Sequence, residues 1–514
     1  MTRALVWFKR DLRVHDHGPL VAARMHTDAL GLFIIEPQWL GSPDCDASHV
    51  DFGITCLGEL RMALAERGLP LLVRVGPAPA VLAQLHREVH FTHLMSHEET
   101  GVAWSYARDR QVSQWCKSVA VHWEQFTQNG VTRGLRNRAG WAGRWQARMD
   151  APLHLLDGRF DAALPLDQPA LPTLASLGFT AHGKALQVAG EKAARRTLRS
   201  FLQVRGYGYR KALSSPLSAE SACSRLSPHL AFGTISLRTV HQATELAIAN
   251  TPERALAHSL RGFAGRLRWH CHFMQKLEDE PDIEFRNFAR VYDGLREEEF
   301  NSQRFEAWCE GRTGYPMVDA CMRSLRATGW LNFRMRAMLV SFASYHLWLH
   351  WRETGLFLAR QFLDYEPGIH WSQMQMQSGT TGINTLRMYS PTKQAQDHDP
   401  QGVFIRRWVP ELAKVPLPYL SEPWTMDPSI QRIARCRIGA DYPMPVVDER
   451  TALKLAKERM YGLRSTLQAR KEATDVQDRH GSRKSGLPPS NRERSGKVRA
   501  LPKPPSPQRD LFSS

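Results

Sequence analysis

The chain has 514 residues, of which 42% are hydrophobic and 23% are charged, and its formal net charge is +17. This length exceeds one ordinary hydrophobic core, and the hydrophobic content excludes a wholly disordered chain, so we expect two domains and a tail. The positive charge favours a polyanionic partner, of which nucleic acid is the commonest. A basic tail on a near-neutral body is the alternative explanation.

The eight cysteines include no CxxC pair. Metal sites usually need closely spaced thiolates, and secreted disulfide scaffolds are much shorter, so we expect reduced, mostly buried cysteines in a cytoplasmic protein without a metal. The N-terminal MTRALVWFKRD runs straight into charged residues, unlike a signal peptide. The longest apolar stretches, such as 338–351, are interrupted and fall short of about 20 residues, so no membrane span is expected.

Strand and helix patterns alternate over residues 1–135. Strands are predicted at 4–7, 30–35, 71–75 and 92–96, and helices at 52–67 and 79–89. This alternation indicates an α/β domain with a doubly wound parallel sheet of the Rossmann type. Ligands of such sheets bind beyond the carboxyl ends of the strands, where Glu36, Glu98 and Glu99 lie.

The rest of the chain divides by composition. Residues 136–189 are rich in Pro, Leu, Ala and Gly without a sustained period, which predicts an interdomain connector on the surface. Helical periodicity dominates residues 190–461, so the second domain is expected to be all-α. Residues 462–514 form a basic C-terminal extension whose composition predicts disorder from about residue 473. That segment would bind DNA or another partner, or have no specific role.

Four motifs follow one another in the second domain: TGYPMVDACMR, TGWLNFRMRAM, HWRE and FLDYEPGIHWSQMQMQSG. Together with WFKRDLRVHDHGPL near the N-terminus, this ordered set resembles the cryptochrome/photolyase family of blue-light proteins. The resemblance implies an α/β antenna domain followed by a helical domain that binds FAD. It is strongest to the bacterial iron–sulfur branch, although only Cys436 stands where those relatives carry cluster cysteines near their C-terminus.

The resemblance also implies which residues contact FAD. Segment 222–236 resembles the family's phosphate-binding motif, in which hydroxyls, a cation and a helix N-terminus would hold the diphosphate. Arg336 and Asp364 resemble the buried ion pair beside the flavin ring. An ordinary N-cap and an ordinary salt bridge are the structural alternatives. The expected contacts are Tyr209, Cys223, Ser224, Arg225, Leu226, Ser227, Arg336, Asp364, Tyr365 and Glu366.

Photoreduction in the family uses a row of tryptophans leading away from the flavin. By resemblance, Trp371 takes the position next to the flavin and Trp351 the middle position, while the distal position falls on Glu298. Because a carboxylate cannot relay an electron, another aromatic residue would have to be the exit. The candidates are Trp308, Trp348 and Tyr389. Most tryptophans of the chain are expected to be core residues.

Repair enzymes of the family flip a damaged pyrimidine pair out of the duplex towards the flavin. Trp269 matches the stacking residue, but Arg266 stands where those relatives carry a glutamate, and Phe333 and Ala337 stand at their Asn and Met positions. A protonated imidazole could serve as proton donor to a lesion, from His270, His272 or His370. The expected DNA contacts are Arg266, Trp269, His270, Phe273, Phe333, Arg334 and Gln394, and the expected catalytic residues are Trp269, Trp351 and Trp371.

Three functions compete at this point. The first is a DNA photolyase, a monomer acting on UV-damaged DNA, with FAD and with room near Glu36 and Glu98 for a second, antenna chromophore of lumazine or folate type. The second is a cryptochrome-type photoreceptor without repair, which Arg266 and the basic tail favour. The third is a basic helical DNA-binding protein that uses no light, which would leave the flavin motifs unexplained.

Overall fold

The computed structural model describes residues 2–135, 137–160 and 168–481. An α/β domain with one parallel sheet comes first, and a larger helical domain follows, so the predicted fold class is confirmed. No helix in these ranges combines the length and the apolar character needed to span a bilayer.

The sheet has the strand order β3-β2-β1-β4-β5 and all its described pairings are parallel. The strands are β1 (Arg3–Phe8), β2 (Asp28–Ile35), β3 (Leu71–Val75), β4 (His93–His97) and β5 (His122–Phe126). Strand β5 was not predicted because HWEQF lies at a sheet edge and is largely exposed and polar, without the apolar run of a buried strand. The order in which strands are added to the sheet reverses between β1 and β4, which places a crevice beyond the carboxyl ends of these two strands.

Helices cover both faces of the sheet and build the second domain. In chain order they are α1 (Gly18–Ala23), α2 (Pro37–Leu40), α3 (Ala47–Ala65), α4 (Ala78–Val89), α5 (Ala103–Ser118), α6 (Trp141–Asp150), α7 (Glu191–Gln203), α8 (Tyr209–Ala212), α9 (Pro216–Ala222), α10 (Ser227–Ala231), α11 (Leu237–Asn250), α12 (Arg254–Asp279), α13 (Ser302–Glu310), α14 (Pro316–Thr328), α15 (Phe333–Ser341), α16 (Trp351–Gln361), α17 (Pro367–Ser378), α18 (Pro391–His398), α19 (Val403–Trp408), α20 (Pro428–Ala434), α21 (Glu449–Arg464) and α22 (Leu467–His480). A π-turn, Phe342–His346, follows α15.

The predicted connector contains one structured element. Helix α6 buries Trp141 and Trp145 in the same hydrophobic cluster as Leu198 and Phe201 of α7, so this part belongs to the core of the helical domain. The remaining described part of residues 136–189 is mostly irregular, as predicted, and residues 161–167 lie outside the described ranges.

The C-terminal extension begins as a helix. Helix α22 buries Val476 and His480, and the His480 Nε2 atom lies 2.7 Å from Glu280 Oε2. The predicted disorder is therefore wrong for residues 473–481, because periodic apolar residues anchor a segment whose overall composition is polar. The rest of that prediction, residues 482–514, lies outside the described ranges.

All eight cysteines are free, and six of them are buried. Burial raises the pKa of the Cys45 and Cys56 thiols to about 12. These side chains are therefore protonated at neutral pH and behave as small hydrophobic residues, which confirms the expected buried thiols.

Candidate functional site

The helical domain surrounds an open cavity of about 340 Å³. Its walls come from the segment 209–231, from α12, from the start of α15 and from α17. The structure brings together at this cavity all the residues expected to contact FAD: Tyr209, Cys223, Ser224, Arg225, Leu226, Ser227, Arg336, Asp364, Tyr365 and Glu366. They come from distant parts of the chain, so their convergence is a property of the fold.

Arg225 is the cation at one side of this cavity. Its guanidinium stacks on the ring of Trp330 at 3.9 Å, and it makes no hydrogen bond or ion pair with any described residue. Its backbone φ is +60°, a conformation that is uncommon outside glycine. Helix α10, which follows, has only five residues, so the expected contribution of a helix N-terminus is small and Arg225 is the main group for an anion.

Arg336 and Asp364 form a bidentate ion pair at the wall of the same cavity. The distances are 3.0 Å from Nη1 to Oδ1 and 2.8 Å from Nη2 to Oδ2. Burial alone would raise the pKa of Asp364, but the Arg336 guanidinium lowers it below its ordinary value. The carboxylate therefore stays ionised and keeps Arg336 in one orientation at the cavity wall.

Glu366 is the least satisfied acid at the cavity. Its Oε1 atom is buried without a hydrogen-bond partner among the described residues, and burial raises the pKa of this carboxyl to about 6. The Gln377 Oε1 atom is likewise unpaired. Two unpaired acceptors and a cation without a partner fit FAD, because it has an anionic diphosphate and ring systems with N–H donors.

The mouth of the cavity is aromatic. Trp269, Phe273 and Phe333 line it, and Phe333 is 44% exposed. Arg266, the residue at the glutamate position, also lines it, with its guanidinium 5.7 Å from the Phe333 ring. A planar, partly polar ligand could enter between these side chains.

Two of the predicted DNA contacts lie away from the cavity lining. Arg334 is half-buried, with its guanidinium 5.9 Å from the Tyr389 ring. Gln394 is 7% exposed and lies on α18. Neither lines the cavity, so any contact of these two residues would be with a ligand that extends beyond it.

Burial disfavours a protonated imidazole at this cavity. His270 and His370 line the cavity, but burial lowers the pKa of both side chains to about 4, so they are neutral at pH 7. His272 does not line it and is 1% exposed, with its pKa well below the ordinary value because of burial. The sequence could not show this, since the shift comes from tertiary packing.

Trp371 and Trp351 lie behind the cavity as a pair. Their ring centres are 5.9 Å apart, and Trp371 touches His370 of the cavity wall at 4.9 Å. Gly355 allows this packing, because a Cβ atom there would lie 2.7 Å from the Trp371 ring. Among the described ring contacts, Trp351 reaches no further tryptophan or tyrosine.

Two of the three proposed exits, Trp308 and Trp348, differ in their surroundings, and the third, Tyr389, lies beside Arg334. Trp308 is fully buried against Phe305 and Phe357. Trp348 lies between two guanidinium groups, Arg296 at 4.5 Å and Arg459 at 4.9 Å. Glu298, at the distal position of the row, is exposed.

A second, smaller cavity of about 130 Å³ lies at the crevice of the sheet. Glu36 lines it, whereas Glu98 does not and Glu99 takes its place. Arg108, from α5, binds both acids, at 3.1 Å to Glu36 and 2.6 Å to Glu99. Burial nevertheless raises the pKa of Glu36 to about 7.

Aromatic rings complete this smaller cavity. The Arg108 guanidinium lies 5.0 Å from the Trp7 ring and 5.4 Å from the Trp104 ring. Sequence reasoning missed these three residues. The position of Trp7 at the end of β1 was the one available signal, since residues at such strand ends face the crevice.

Asp11, His17 and His97 form the one cluster with the ligand spacing of a metal site among the described residues. The His17 Nδ1 atom accepts a hydrogen bond from the Leu20 amide, so its Nε2 atom carries the proton and donates to Asp11 at 3.0 Å. His97 Nδ1 lies 2.7 Å from the same Asp11 oxygen. These side chains already hydrogen-bond to one another, which is typical of a buried structural network.

Two family models match the chain. Residues 4–133 match the DNA photolyase model, and residues 263–462 match the FAD binding domain of DNA photolyase. The first match covers the α/β domain and the second covers most of the helical domain, including the Arg336–Asp364 pair and the Trp351–Trp371 pair.

Curated relatives are similar over most of their length. The chain is 30% identical to a deoxyribodipyrimidine photo-lyase of Synechococcus over 434 residues, which are 80% of this chain and 88% of that protein. It is 29% identical to a cryptochrome DASH of Gloeobacter violaceus over 476 residues, 86% of this chain and 93% of that protein.

Solved structures share the fold. A bacterial class III photolyase from Agrobacterium tumefaciens matches with a TM-score of 0.77 and 25% identity, over 91% of this chain and 98% of that one. An archaeal photolyase from Sulfolobus tokodaii, described with two FAD molecules, matches with a TM-score of 0.74 and 25% identity, over 90% and 100% of the two chains.

Proposed function

This chain belongs to the cryptochrome/photolyase family and carries its FAD-binding domain, and from this premise we propose that it is a blue-light-driven DNA photolyase that repairs pyrimidine dimers. Bound in its reduced form, FAD supplies the electron that splits the dimer. In this proposal Arg225 binds the diphosphate, and the Arg336–Asp364 pair borders the flavin ring. The buried thiols support a reducing, cytoplasmic location, and we propose a monomer.

The observation that carries this proposal is the aromatic mouth of the FAD cavity. Trp269 and Phe333 lie at the opening of the same cavity that holds the expected FAD residues. A flipped pyrimidine pair would stack on these rings, which contributes about 1–3 kcal/mol per base in single-stranded DNA complexes. The surplus of positive charge on the chain would hold the flanking phosphates.

Arg266 gives the mouth a different chemistry from a glutamate. A guanidinium donates hydrogen bonds and accepts none, so it would bind the carbonyl oxygens of a pyrimidine, whereas a carboxylate would accept from ring N–H groups. We propose that Arg266 contacts a lesion carbonyl or an adjacent phosphate while Trp269 supplies the stacking surface.

Recharging of the cofactor would use Trp371 and Trp351. Their ring centres lie 5.9 Å apart behind the cavity, so two oxidisable rings are in contact. His370 of the cavity wall packs against Trp371. The Trp351 Nε1 atom donates to Asn287 Oδ1 at 2.7 Å, which fixes the orientation of the outer ring.

We also propose that the smaller cavity of the first domain binds a second chromophore of lumazine or folate type. Trp7 and Trp104 provide aromatic walls, and the cavity lies at the crevice where open α/β sheets bind ligands. The Sulfolobus relative carries a second FAD molecule, described as a light-harvesting cofactor.

A photoreceptor without repair activity is the second candidate. Two observations favour it: Arg266 replaces the acidic lesion contact, and the imidazoles at the cavity are neutral at pH 7. Both functions need FAD, so the presence of the cofactor does not separate them.

The test is light-dependent repair by the purified, reduced, FAD-loaded protein. Oligonucleotides carrying a cyclobutane dimer or a (6-4) product would be illuminated with blue light and the lesion quantified. We expect repair of one lesion, loss of at least about tenfold in Phe333→Ala, and little change in Phe285→Ala, which is 46% exposed and lies outside the cavity. Wild type that repairs neither lesion would support the photoreceptor.

A further inference from the structure

Arg10 belongs to the first domain but bonds to the second. It follows β1 in the motif WFKRDLR, and its Nη2 atom donates to the Tyr365 carbonyl at 2.7 Å. Its Nε atom donates to the Ala231 carbonyl at 3.0 Å. A third contact, 3.8 Å long, joins Nη1 to the Glu366 carboxylate.

These three partners belong to the two segments that line the FAD cavity on either side. Ala231 ends α10, directly after the segment with Arg225, and Tyr365 and Glu366 follow Asp364. Arg10 itself does not line that cavity. It lines the smaller cavity of the first domain and a polar gap of about 40 Å³ between the domains.

We propose that Arg10 is a positioning residue for FAD, which holds the two FAD-lining segments at a fixed spacing from the first domain and places a cation beside Glu366. The proposal rests on FAD occupying the helical-domain cavity. Through Arg10 the first domain would support the FAD site, although Arg10 does not line the FAD cavity. Both domains would therefore contribute to FAD binding.

The geometry requires a guanidinium. Two backbone carbonyls and a carboxylate are bound by different nitrogen atoms of one rigid planar group. A lysine in this place would keep the charge near Glu366 but could not direct separate donors at both carbonyls. The side chain is 29% exposed and Glu366 is 9% exposed, so water would replace these bonds only in part.

Removal of the Arg10 charge is expected to raise the pKa of Glu366. Its charged and titratable neighbours are Arg10 and Glu99 from the first domain and Cys271 from α12, and Glu98 and the neutral His270 line the same gap. Arg10 is the one cation among them that lowers the pKa of Glu366. Without Arg10 that pKa rises further above its value of about 6, and Glu366 becomes protonated near neutral pH.

The experiment measures FAD release from the holoprotein in Arg10→Gln, Arg10→Lys and Glu366→Gln. The protein is diluted and the rise of free-flavin fluorescence is followed between pH 5 and 8. We expect about tenfold faster release in Arg10→Gln, with the pH midpoint moved upwards. Arg10→Lys should also release FAD faster but keep the wild-type midpoint, and Glu366→Gln should abolish the midpoint.

Arg3→Gln is the matched control. Arg3 begins the same strand, is 27% exposed, pairs with Asp28 within the first domain and lines neither cavity. Release from Arg10→Gln at the rate of Arg3→Gln would overturn the proposal. Equal shifts of the pH midpoint in Arg10→Gln and Arg10→Lys would overturn the proposed effect of the Arg10 charge on Glu366. A wild-type protein purified without FAD would instead contradict the premise.

Discussion

The arginines of the two cavities differ in whether they have an acidic partner within the protein. In the first domain, Arg108 is bound to Glu36, Glu99 and Asp109, so its charge is neutralised within the protein. In the second domain, the guanidinium of the half-buried Arg225 stacks on the Trp330 ring and has no hydrogen-bond or ion-pair partner among the described residues. A cavity of the first kind is complete without an ionic ligand, while one of the second kind is completed by an anion.

This difference has an energetic consequence. The Arg225 guanidinium loses hydration in the cavity, and ring stacking and more distant carboxylates compensate for this without a direct anionic partner, which a bound diphosphate would supply. FAD should therefore raise the free energy of unfolding of the helical domain, because it binds the folded state and not the unfolded one.

The largest effect is expected at the one fully paired arginine of the FAD cavity. Arg336→Ala leaves Asp364, which is 3% exposed in its side chain, as an unpaired buried carboxylate. We expect the free energy of unfolding of the apoprotein to fall by about 3–5 kcal/mol in urea titrations. The matched control, Arg312→Ala, breaks a surface pair with Glu310 and should cost at most about 1 kcal/mol. Similar losses in both variants would contradict this account.

The second prediction compares the two contrasting arginines directly. Arg108→Gln leaves Glu36 and Glu99 without an ion-pair partner, while Asp109 keeps Lys9, and should destabilise the apoprotein by about 2–3 kcal/mol, since buried charged groups lose their partner. Arg225→Gln should leave apoprotein stability within about 0.5 kcal/mol but weaken FAD binding at least about tenfold. Unfolding titrations and flavin fluorescence measure the two quantities. Equal destabilisation by both changes would remove the distinction between the cavities.

The third prediction concerns pH and the first cavity. Glu36 has a folded-state pKa of about 7, above its ordinary value of 4.5, so the folded state binds the proton more tightly than the unfolded state. This contribution to stability is therefore present at low pH and is lost as pH rises from 4.5 to about 7, by on the order of 2 kcal/mol. Glu36→Gln, which mimics the protonated side chain, should flatten this part of the stability profile. An unchanged slope in that variant would assign the dependence to another group.

The smallest effect is expected at the wall behind the FAD cavity. Gly355→Ala places a Cβ atom 2.7 Å from the Trp371 ring, so α16 and α17 must shift, at a cost of about 1–2 kcal/mol. Gly265→Ala on α12 meets no atom within 4 Å and should stabilise its helix by about 0.5–1 kcal/mol. Thermal unfolding of the two variants should move in opposite directions. A stabilised Gly355→Ala variant would show that this wall is loosely packed.

Local motifs and tertiary pairing differ in what a sequence can reveal. The convergence of Arg336, Asp364 and their neighbours on one cavity was predictable, because these residues stand in ordered motifs. Arg10 and Arg108 were not, since each acts through partners from distant segments. The neutral state of His270 was equally hidden, because it comes from packing. The polar composition of α22 led to a wrong prediction of disorder, because three buried side chains, Ala469, Val476 and His480, anchor this helix.

The position of Trp348 between Arg296 and Arg459 bears on where an oxidised tryptophan can exist. A radical cation at Trp348 would stand within 5 Å of two fixed positive charges. Each like charge at 4 Å costs about 4 kcal/mol at an effective dielectric constant of about 20. Trp348 is therefore an unfavourable site for an oxidised ring, which leaves Trp308 and Tyr389 as the candidates for an exit from the buried Trp351–Trp371 pair.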